Sequence, residues 1–413
     1  MAHTYIDTLF EVYPNRTEYL DWIQYELDTR VYYFGNHFKT PFGHKRQLKY
    51  RIRNYLASFK RKVSNIDFDG AILSEAYANW GINDKLKEEG YKVCMLPWHA
   101  DPGFRLSTEY AAVANGLDYG DFNFLLSEYF IDRVYNFRSF FENFLQCNHI
   151  KLVIFANDMT AINRIAISAC NVGVKSMIYL HGLPAGSYNA IDNNRADYLC
   201  VWGDRMKELC VNAGVNANKV IVMGNAKYSG QKFPDTHPAS FDNVLVLSRA
   251  ISGAPSDSVK RPIENRGLSI DYIYMVEEAL KRVGVNKATL RLHPSENGEW
   301  YKKFIDSDFY TLDDKSLMDC LSDKTAIVSP ASTVMFDAFL CGIPFFAFEP
   351  HTIIGYEVVP PFDGSEEEMP IAKSISELVD HLQHNIVASH ALIDKYINPV
   401  VDMSKIKELL PNG

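Results

Sequence analysis

The sequence lacks any run of about 18 apolar residues, the length that a helix needs to cross a bilayer. Its first residues, MAHTYIDTLFEVY, also lack the charged start and apolar centre of a secretion signal. None of the seven cysteines forms a C-x-x-C pair, and most lie in apolar runs. We therefore expect a cytoplasmic protein with small buried cysteines, no structural zinc and at most a peripheral membrane contact.

Several catalytic motifs are also missing. No G-x-x-x-x-G-K-[ST] occurs, no G-x-G-x-x-G follows a strand pattern, and no G-x-S-x-G is present. These absences argue against a P-loop NTPase, a nicotinamide enzyme and an α/β-hydrolase. No D-x-D pair follows a strand pattern either, so we expect an enzyme that uses neither a metal ion nor a cofactor.

Positive charge is scarce, because 42 Lys and Arg stand against 51 Asp and Glu and give a net charge of −9. This balance disfavours non-specific binding of nucleic acid. Residues 44–62 are an exception, since they are rich in Lys and Arg, with aromatic and aliphatic residues at roughly helical spacing. The stretch fits a solvated helix face and, equally, a patch that touches anionic lipid headgroups or a charged glycan.

Short apolar segments alternate with helical patterns along most of the 413 residues, a length that predicts two or three domains. This alternation predicts an α/β fold with parallel, doubly wound sheets. The polar segment 226–243, with its Gly, Pro and Ser residues, separates two such series. We predict a first Rossmann-like domain over 1–235, which includes a helical, basic segment 1–65, and a second over 236–413. Two such halves with a cleft between them make the GT-B architecture.

Two motifs in the second half have the chemistry to bind phosphate. Arg291 and His293 alternate at the end of a predicted strand, and Pro294 fixes the turn that follows. An Arg and a His at such a position can neutralise a phosphoryl leaving group. The second motif, Ser329–Thr333, lies between a strand and a helix, where Ser332 or Thr333 is expected to cap the helix and add hydroxyl donors.

The segment from His181 to Pro350 resembles bacterial GT-B enzymes that build surface polysaccharides from cytidine-activated donors. These include sialyltransferases, polysialyltransferases and β-Kdo transferases, which share an HP motif and a later Ser-Ser/Thr pair; teichoic-acid glycerophosphotransferases are also similar. The resemblance covers less than half of the chain. It implies that His293, Pro294, Ser332 and Thr333 hold the cytidine monophosphate part of the donor.

Three residues of the first half are catalytic candidates because each ends an apolar strand pattern. Asp158 can act as a base, as a nucleophile or as a helix N-cap. Glu75 is the second candidate for the carboxylate. His181, followed by Gly182, matches a His-Gly that acts in catalysis in the glycerophosphotransferases, and it can also be a structural His at a turn.

Four further residues are weaker candidates for the nucleotide site. Asn225 lies in a Gly-Asn pair that resembles the element leading into the linker of such enzymes. Ser248 and Arg249 end the first strand of the second half, where an Arg can bind phosphate or a sugar carboxylate. Glu349 follows the last strand and can bind a ribose or base edge.

Together these patterns predict a glycosyltransferase that moves Kdo, or sialic acid, from its CMP-activated form to a lipid-linked lipopolysaccharide or capsule glycan. Residues 44–62 are the predicted peripheral contact with the inner face of the bacterial inner membrane. The preference for Kdo rests on the resemblance alone. A CDP-glycerol or UDP-sugar transferase on the same scaffold remains open, as does a catalytically silent glycan-binding module.

Overall fold

The computed structural model describes residues 9–34, 66–75, 81–183, 195–248, 264–293, 296, 298–350 and 359–410. The basic stretch 44–62, Arg249 and Pro294 lie outside these residues. Of the predicted helical segment 1–65, the described part contains a 3₁₀ turn, Pro14–Arg16, and helix α1, Thr17–Phe34.

The first sheet has six strands, all parallel, in the order β2-β1-β3-β4-β5-β6. Its central strands are buried, apart from the exposed Lys175 at the start of the fourth strand, as expected when helices cover both faces of a parallel sheet. The strands are β1 Ile72–Ser74, β2 Val93–Met95, β3 Leu152–Phe155, β4 Lys175–Tyr179, β5 Tyr198–Val201 and β6 Val220–Val222.

The helices around this sheet are shorter and more numerous than the sequence pattern predicts. They are α2 Ile82–Glu88, α3 Pro97–Ala100, α4 Pro102–Arg105, α5 Thr108–Tyr119, α6 Phe122–Leu125, α7 Glu128–Cys147, α8 Ala161–Ala169 and α9 Asp204–Asn212. The stretch 107–148, rich in Phe and Tyr, has a pattern that predicts one long helical region, and it forms three helices because each has its own N-cap. Ser107, Asp121 and Ser127 each accept a hydrogen bond from a backbone N–H in the first turn that follows.

The second sheet also has six parallel strands, in the order β12-β11-β10-β7-β8-β9. Its strands are β7 Val244–Leu247, β8 Ala288–Arg291, β9 Tyr310–Asp313, β10 Ala326–Ser329, β11 Phe345–Phe348 and β12 Ile371–Ala372. Its helices, and those that follow, are α10 Glu264–Arg282, α11 Gly298–Tyr301, α12 Leu317–Leu321, α13 Val334–Leu340, α14 Ile375–His384, α15 Ala391–Tyr396 and α16 Ser404–Leu409. The two-residue β12 is too short for its sequence pattern to reveal.

The end of the chain returns from the second sheet to the first. The backbone N–H of Asn398 donates to Trp202 O at 2.7 Å, and that of Asp402 donates to Met223 O at 2.8 Å. Met403 and Ile406 are buried in the same apolar cluster as the strands of the first sheet. The C-terminal segment therefore completes a core whose strands lie more than 170 residues earlier in the sequence.

Gly203 lies two residues after the end of β5 and allows this return, because the backbone of the C-terminal segment passes close to its Cα. A Cβ built at Gly203 would lie 2.5 Å from the carbonyl carbon of Tyr396. We expect Gly203→Ala to lower the free energy of unfolding by about 1–3 kcal/mol, because backbone atoms on both sides must move apart. Urea unfolding measures this loss. Gly298→Ala is the matched control, since a Cβ there meets its nearest neighbour at an ordinary 3.7 Å; equal stability of the two variants would contradict the expectation.

Candidate active site

Glu75 and His181 lie at the carboxyl edge of the first sheet, on either side of the end of β3. Glu75 Oε2 accepts hydrogen bonds from Ala156 N at 2.7 Å and from Asn163 Nδ2 at 3.1 Å. The Nδ1 atom of His181 lies 3.2 Å from Ala156 O. A carbonyl oxygen only accepts, so this contact assigns the imidazole proton to Nδ1 and leaves a lone pair on Nε2. Glu75 is buried and His181 is exposed.

Asp158 lies on the same edge but in a different environment. It is fully buried, and its Oδ2 accepts from Arg195 N at 3.1 Å and pairs with the Arg195 guanidinium at 3.2 Å. Arg195 also pairs with Asp21 of α1 at 2.7 Å. Burial raises the pKa of Asp158 to about 6, although the Arg195 guanidinium opposes this rise. In this arrangement Asp158 ties the sheet to α1.

The N-cap of α8 is Thr160. Asp158 therefore does not cap this helix, which was one of the roles that the sequence allows for it. The Thr160 hydroxyl accepts from Asn163 N at 3.3 Å. Helix α8 begins at Ala161, so its cap position is two residues after Asp158.

His293 follows β8 at the carboxyl edge of the second sheet, and its position is fixed through the backbone. Its N–H donates to Ser248 Oγ and to Glu296 Oε2, both at 2.9 Å. Glu296 also accepts from the hydroxyls of Ser248 and Tyr301. His293 is an exposed residue, and this network fixes its backbone.

Ser332 and Thr333 follow β10 on the same edge. The sequence predicts that one of their hydroxyls caps α13, but neither does. Thr333 occupies the N-cap position with helical backbone angles and makes no side-chain cap bond. The Ser332 Oγ atom is buried and has no hydrogen-bond partner among the described residues. The Ser329 hydroxyl, in contrast, donates to Pro330 O at 2.7 Å. The cap role predicted for these two hydroxyls is therefore not observed.

The remaining candidates of the nucleotide site are held by protein groups. Arg291 pairs with Asp313 at 2.6 Å and donates to Lys315 O, at the β9 side of the sheet. Glu349 accepts from Ala331 N at 2.9 Å and so holds the loop that carries Ser332. Asn225 is fully buried, and its Oδ1 accepts from Lys227 N at 2.8 Å in the turn after β6.

The two phosphate-binding candidates are on one edge. Strands β8 and β10 both flank β7, so the ends that carry His293 and Ser332 lie two strand spacings, or about 10 Å, apart. Ser248, at the end of β7, lies between them. The predicted nucleotide site therefore has its parts on three adjacent strand ends.

The carboxyl edges of the two sheets face each other across a short gap. A Cβ built at Gly182, the neighbour of His181, would lie 3.8 Å from Thr333 Cγ2. Lys227, after β6, pairs with Asp337 of α13 at 2.6 Å and so joins the two sides. Beside Lys227 a cavity of about 530 Å³ opens, lined among the described residues by Gly81, Ala226, Lys227 and Gln231. Gly182, next to His181, and Thr333 thus lie on opposite sides of the same gap.

Three residues of this region escaped the sequence analysis. Glu296 is the third residue after His293, and an H-P-x-E spacing is a local signal that points to it. Asp337 lies in an F-D-A-x-x-x-G-x-P pattern on the helix after Ser329–Thr333, which is its local signal. Arg195 has no such signal, since its partner Asp158 lies 37 positions away.

No protein-family model matches the sequence, and no curated protein sequence matches it. The structure is similar to that of UDP-GlcNAc 2-epimerase from Methanocaldococcus jannaschii in complex with UDP-GlcNAc and UDP. The two are 12% identical with a TM-score of 0.52, over 82% of this chain and 98% of that chain. The lipopolysaccharide outer core galactosyltransferase WaaB, solved in its apo form, is 12% identical with a TM-score of 0.45, over 82% and 96%.

At such low identity the likeness to the epimerase shows the fold alone. The chain has the GT-B fold, an α/β arrangement of two Rossmann-like domains with a cleft between them. This confirms the predicted fold class. None of the helices in the described part of the chain is long and apolar enough to span a membrane.

The buried carboxyl of Asp158 makes stability depend on pH. Because the folded protein binds this proton more tightly than the unfolded chain, the group's contribution is full below pH 3.8 and is lost as the pH rises through about 6. Asp158→Asn imitates the protonated form. We expect the wild type to lose about 2 kcal/mol relative to this variant between pH 4 and pH 7. Urea unfolding at several pH values tests this, with the exposed Asp84→Asn as control; a pH-independent difference would refute it.

Proposed function

We propose that this chain is a glycosyltransferase that binds a nucleotide-activated sugar in the cleft between its two sheets. The single observation that carries the proposal is the close approach of Gly182, the neighbour of His181, to Thr333, the neighbour of Ser332, across the cleft. In this arrangement His181, which can accept a proton, and the Ser332 and Thr333 hydroxyls, which can bind a phosphate, act on the same substrate molecule. The epimerase that shares the fold was solved with UDP-GlcNAc and UDP, which supports a nucleotide-sugar ligand.

In this proposal the donor is CMP-Kdo or another CMP-activated sugar such as CMP-sialic acid. The support is the set of His293, Ser332 and Thr333, at the positions that the motif of the cytidine-dependent enzymes occupies. The acceptor is a lipid-linked lipopolysaccharide or capsule glycan, and the protein works in the cytoplasm at the inner face of the bacterial inner membrane. Residues 44–62 are the proposed membrane contact.

The proposed reaction uses proton transfer and phosphate binding. Nε2 of His181 takes the proton of an acceptor hydroxyl, whose oxygen forms a bond with the anomeric carbon of the donor sugar. The bond between that carbon and the phosphate oxygen breaks, and the nucleotide leaves with the electron pair. The Ser332 and Thr333 hydroxyls and His293 stabilise the phosphate as its charge increases.

His181 is favoured over Asp158 as the base because of exposure. Asp158 is fully buried and paired with Arg195, so an acceptor hydroxyl cannot reach it unless that pair opens. His181 is exposed, and its Nδ1 contact with Ala156 O leaves Nε2 as the acceptor of the proton.

A nucleotide screen tests the donor class. We expect CMP to raise the melting temperature more than UDP, CDP or GDP, because a ligand that binds only the folded state stabilises it by mass action, by roughly 2.7 kcal/mol at 100 times its Kd. Differential scanning fluorimetry measures the shift. A response to UDP alone would assign the chain to the second candidate, a UDP-sugar enzyme, which the epimerase complex favours. No response to any nucleotide would overturn the proposal.

Two variants separate binding from chemistry. Ser332→Ala should weaken nucleotide binding about tenfold or more, because it removes a hydrogen bond to a charged group. His181→Gln should keep nucleotide binding and lose turnover, measured as CMP release in the presence of a glycan acceptor. Ser322→Ala and His384→Gln are matched controls, since both positions are exposed and lie away from the cleft. Equal residual turnover in Ser332→Ala and His181→Gln would refute the division of roles.

A further inference from the structure

Glu75 is a buried carboxylate whose hydrogen bonds do not neutralise its charge. Its described partners, the Ala156 N–H and the Asn163 amide, are both neutral donors. Only 6% of the residue is exposed, and burial raises the pKa of the carboxyl. A buried charge without a cation in contact is unfavourable, so the position calls for a reason beyond packing.

The other charged groups on this edge of the first sheet balance one another. Asp158 and Asp21 face Arg164 and Arg195 in one network of hydrogen bonds and ion pairs. Two carboxylates and two guanidinium groups give this network no net charge. Glu75 is therefore the unbalanced carboxylate among the described charged groups around the end of β3.

Glu75 and His181 both contact the backbone of Ala156. The N–H of Ala156 binds Glu75, and the C=O of Ala156 lies against Nδ1 of His181. A charged His181 lowers the pKa of Glu75, so the two side chains interact electrostatically. Such an interaction between two charged groups is reciprocal.

We infer that Glu75 is a positioning residue for His181, which fixes the end of β3 beneath the imidazole and stabilises the imidazolium that forms when Nε2 takes a proton. This inference rests on the proposed function for the identity of the proton donor, an acceptor hydroxyl. The electrostatic pairing itself can be measured without turnover.

The experiment follows the titration of His181 by NMR of its ring C–H in the full-length protein, with His181→Gln used to assign the signal. Glu75→Gln keeps an oxygen for the Ala156 N–H and removes the charge. We expect the midpoint of the His181 titration to fall by about one pH unit, the size typical of one lost neighbouring charge. Glu75→Asp, which keeps the charge, should restore most of the shift. Glu277→Gln, at another buried carboxylate, is the matched control and should leave the midpoint unchanged.

The interaction between Glu75 and His181 can also be measured by changing His181 and following the titration of Glu75. In His181→Gln the titration midpoint of Glu75, followed by ¹³C NMR of its carboxyl carbon, should rise, because a neighbouring positive charge has been removed. This variant keeps the inference testable if Glu75→Gln does not fold. Unchanged midpoints in Glu75→Gln, or in His181→Gln, would overturn the inference.

Turnover supplies the distinguishing measurement. With CMP-Kdo and acceptor, Glu75→Gln should lower kcat about tenfold and leave the CMP-induced thermal shift unaltered, the effect expected when only proton transfer is weakened. If His181→Gln retains full turnover while the midpoints still shift, the proposed function fails and the electrostatic pairing stands. If the midpoints do not shift while His181→Gln is inactive, the role of Glu75 fails and the proposed function stands.

Discussion

The parallel direction of every strand is the constraint on which this structure depends. In a parallel sheet all the carboxyl ends lie at one edge, so the polar residue that follows each apolar strand is brought to the same place. Glu75 and His181 gather on one edge by this rule, and Ser248, His293 and Ser332 gather on the other. Because the two edges face each other, residues far apart in the sequence border one cleft.

The sequence pattern is sufficient to predict which residues reach these edges, since a run of buried residues that ends in a polar one is a local signal. The segments 151–158 and 175–182 are examples, and both contain a strand of the first sheet. What each side chain contacts is not local. Asp158 and His181 end neighbouring strands, yet one is buried beneath Arg195 and the other is exposed. Arg195 also pairs with Asp21, which is more than 130 positions from either strand end, and no pattern of neighbouring residues reveals this network.

The starts of the helices also depend partly on the local sequence and partly on the surrounding structure. The breaks within 107–148 come from caps that are visible in the sequence, such as Asp121 after Gly120. The Ser332–Thr333 pair has the composition of a cap, and its hydroxyls are nevertheless not used for one. A cap residue requires extended backbone angles, whereas Thr333 is helical, so composition alone does not determine the role of a hydroxyl.

The return of the chain to the first sheet has a consequence for the order of folding in the cell. Met403 and Ile406 lie in the cluster that covers one face of strands β1, β3 and β4. A ribosome that has made these strands has yet to make the residues that cover them. The first sheet therefore keeps part of an apolar face open until Met403 and Ile406 have been made, more than 200 residues later.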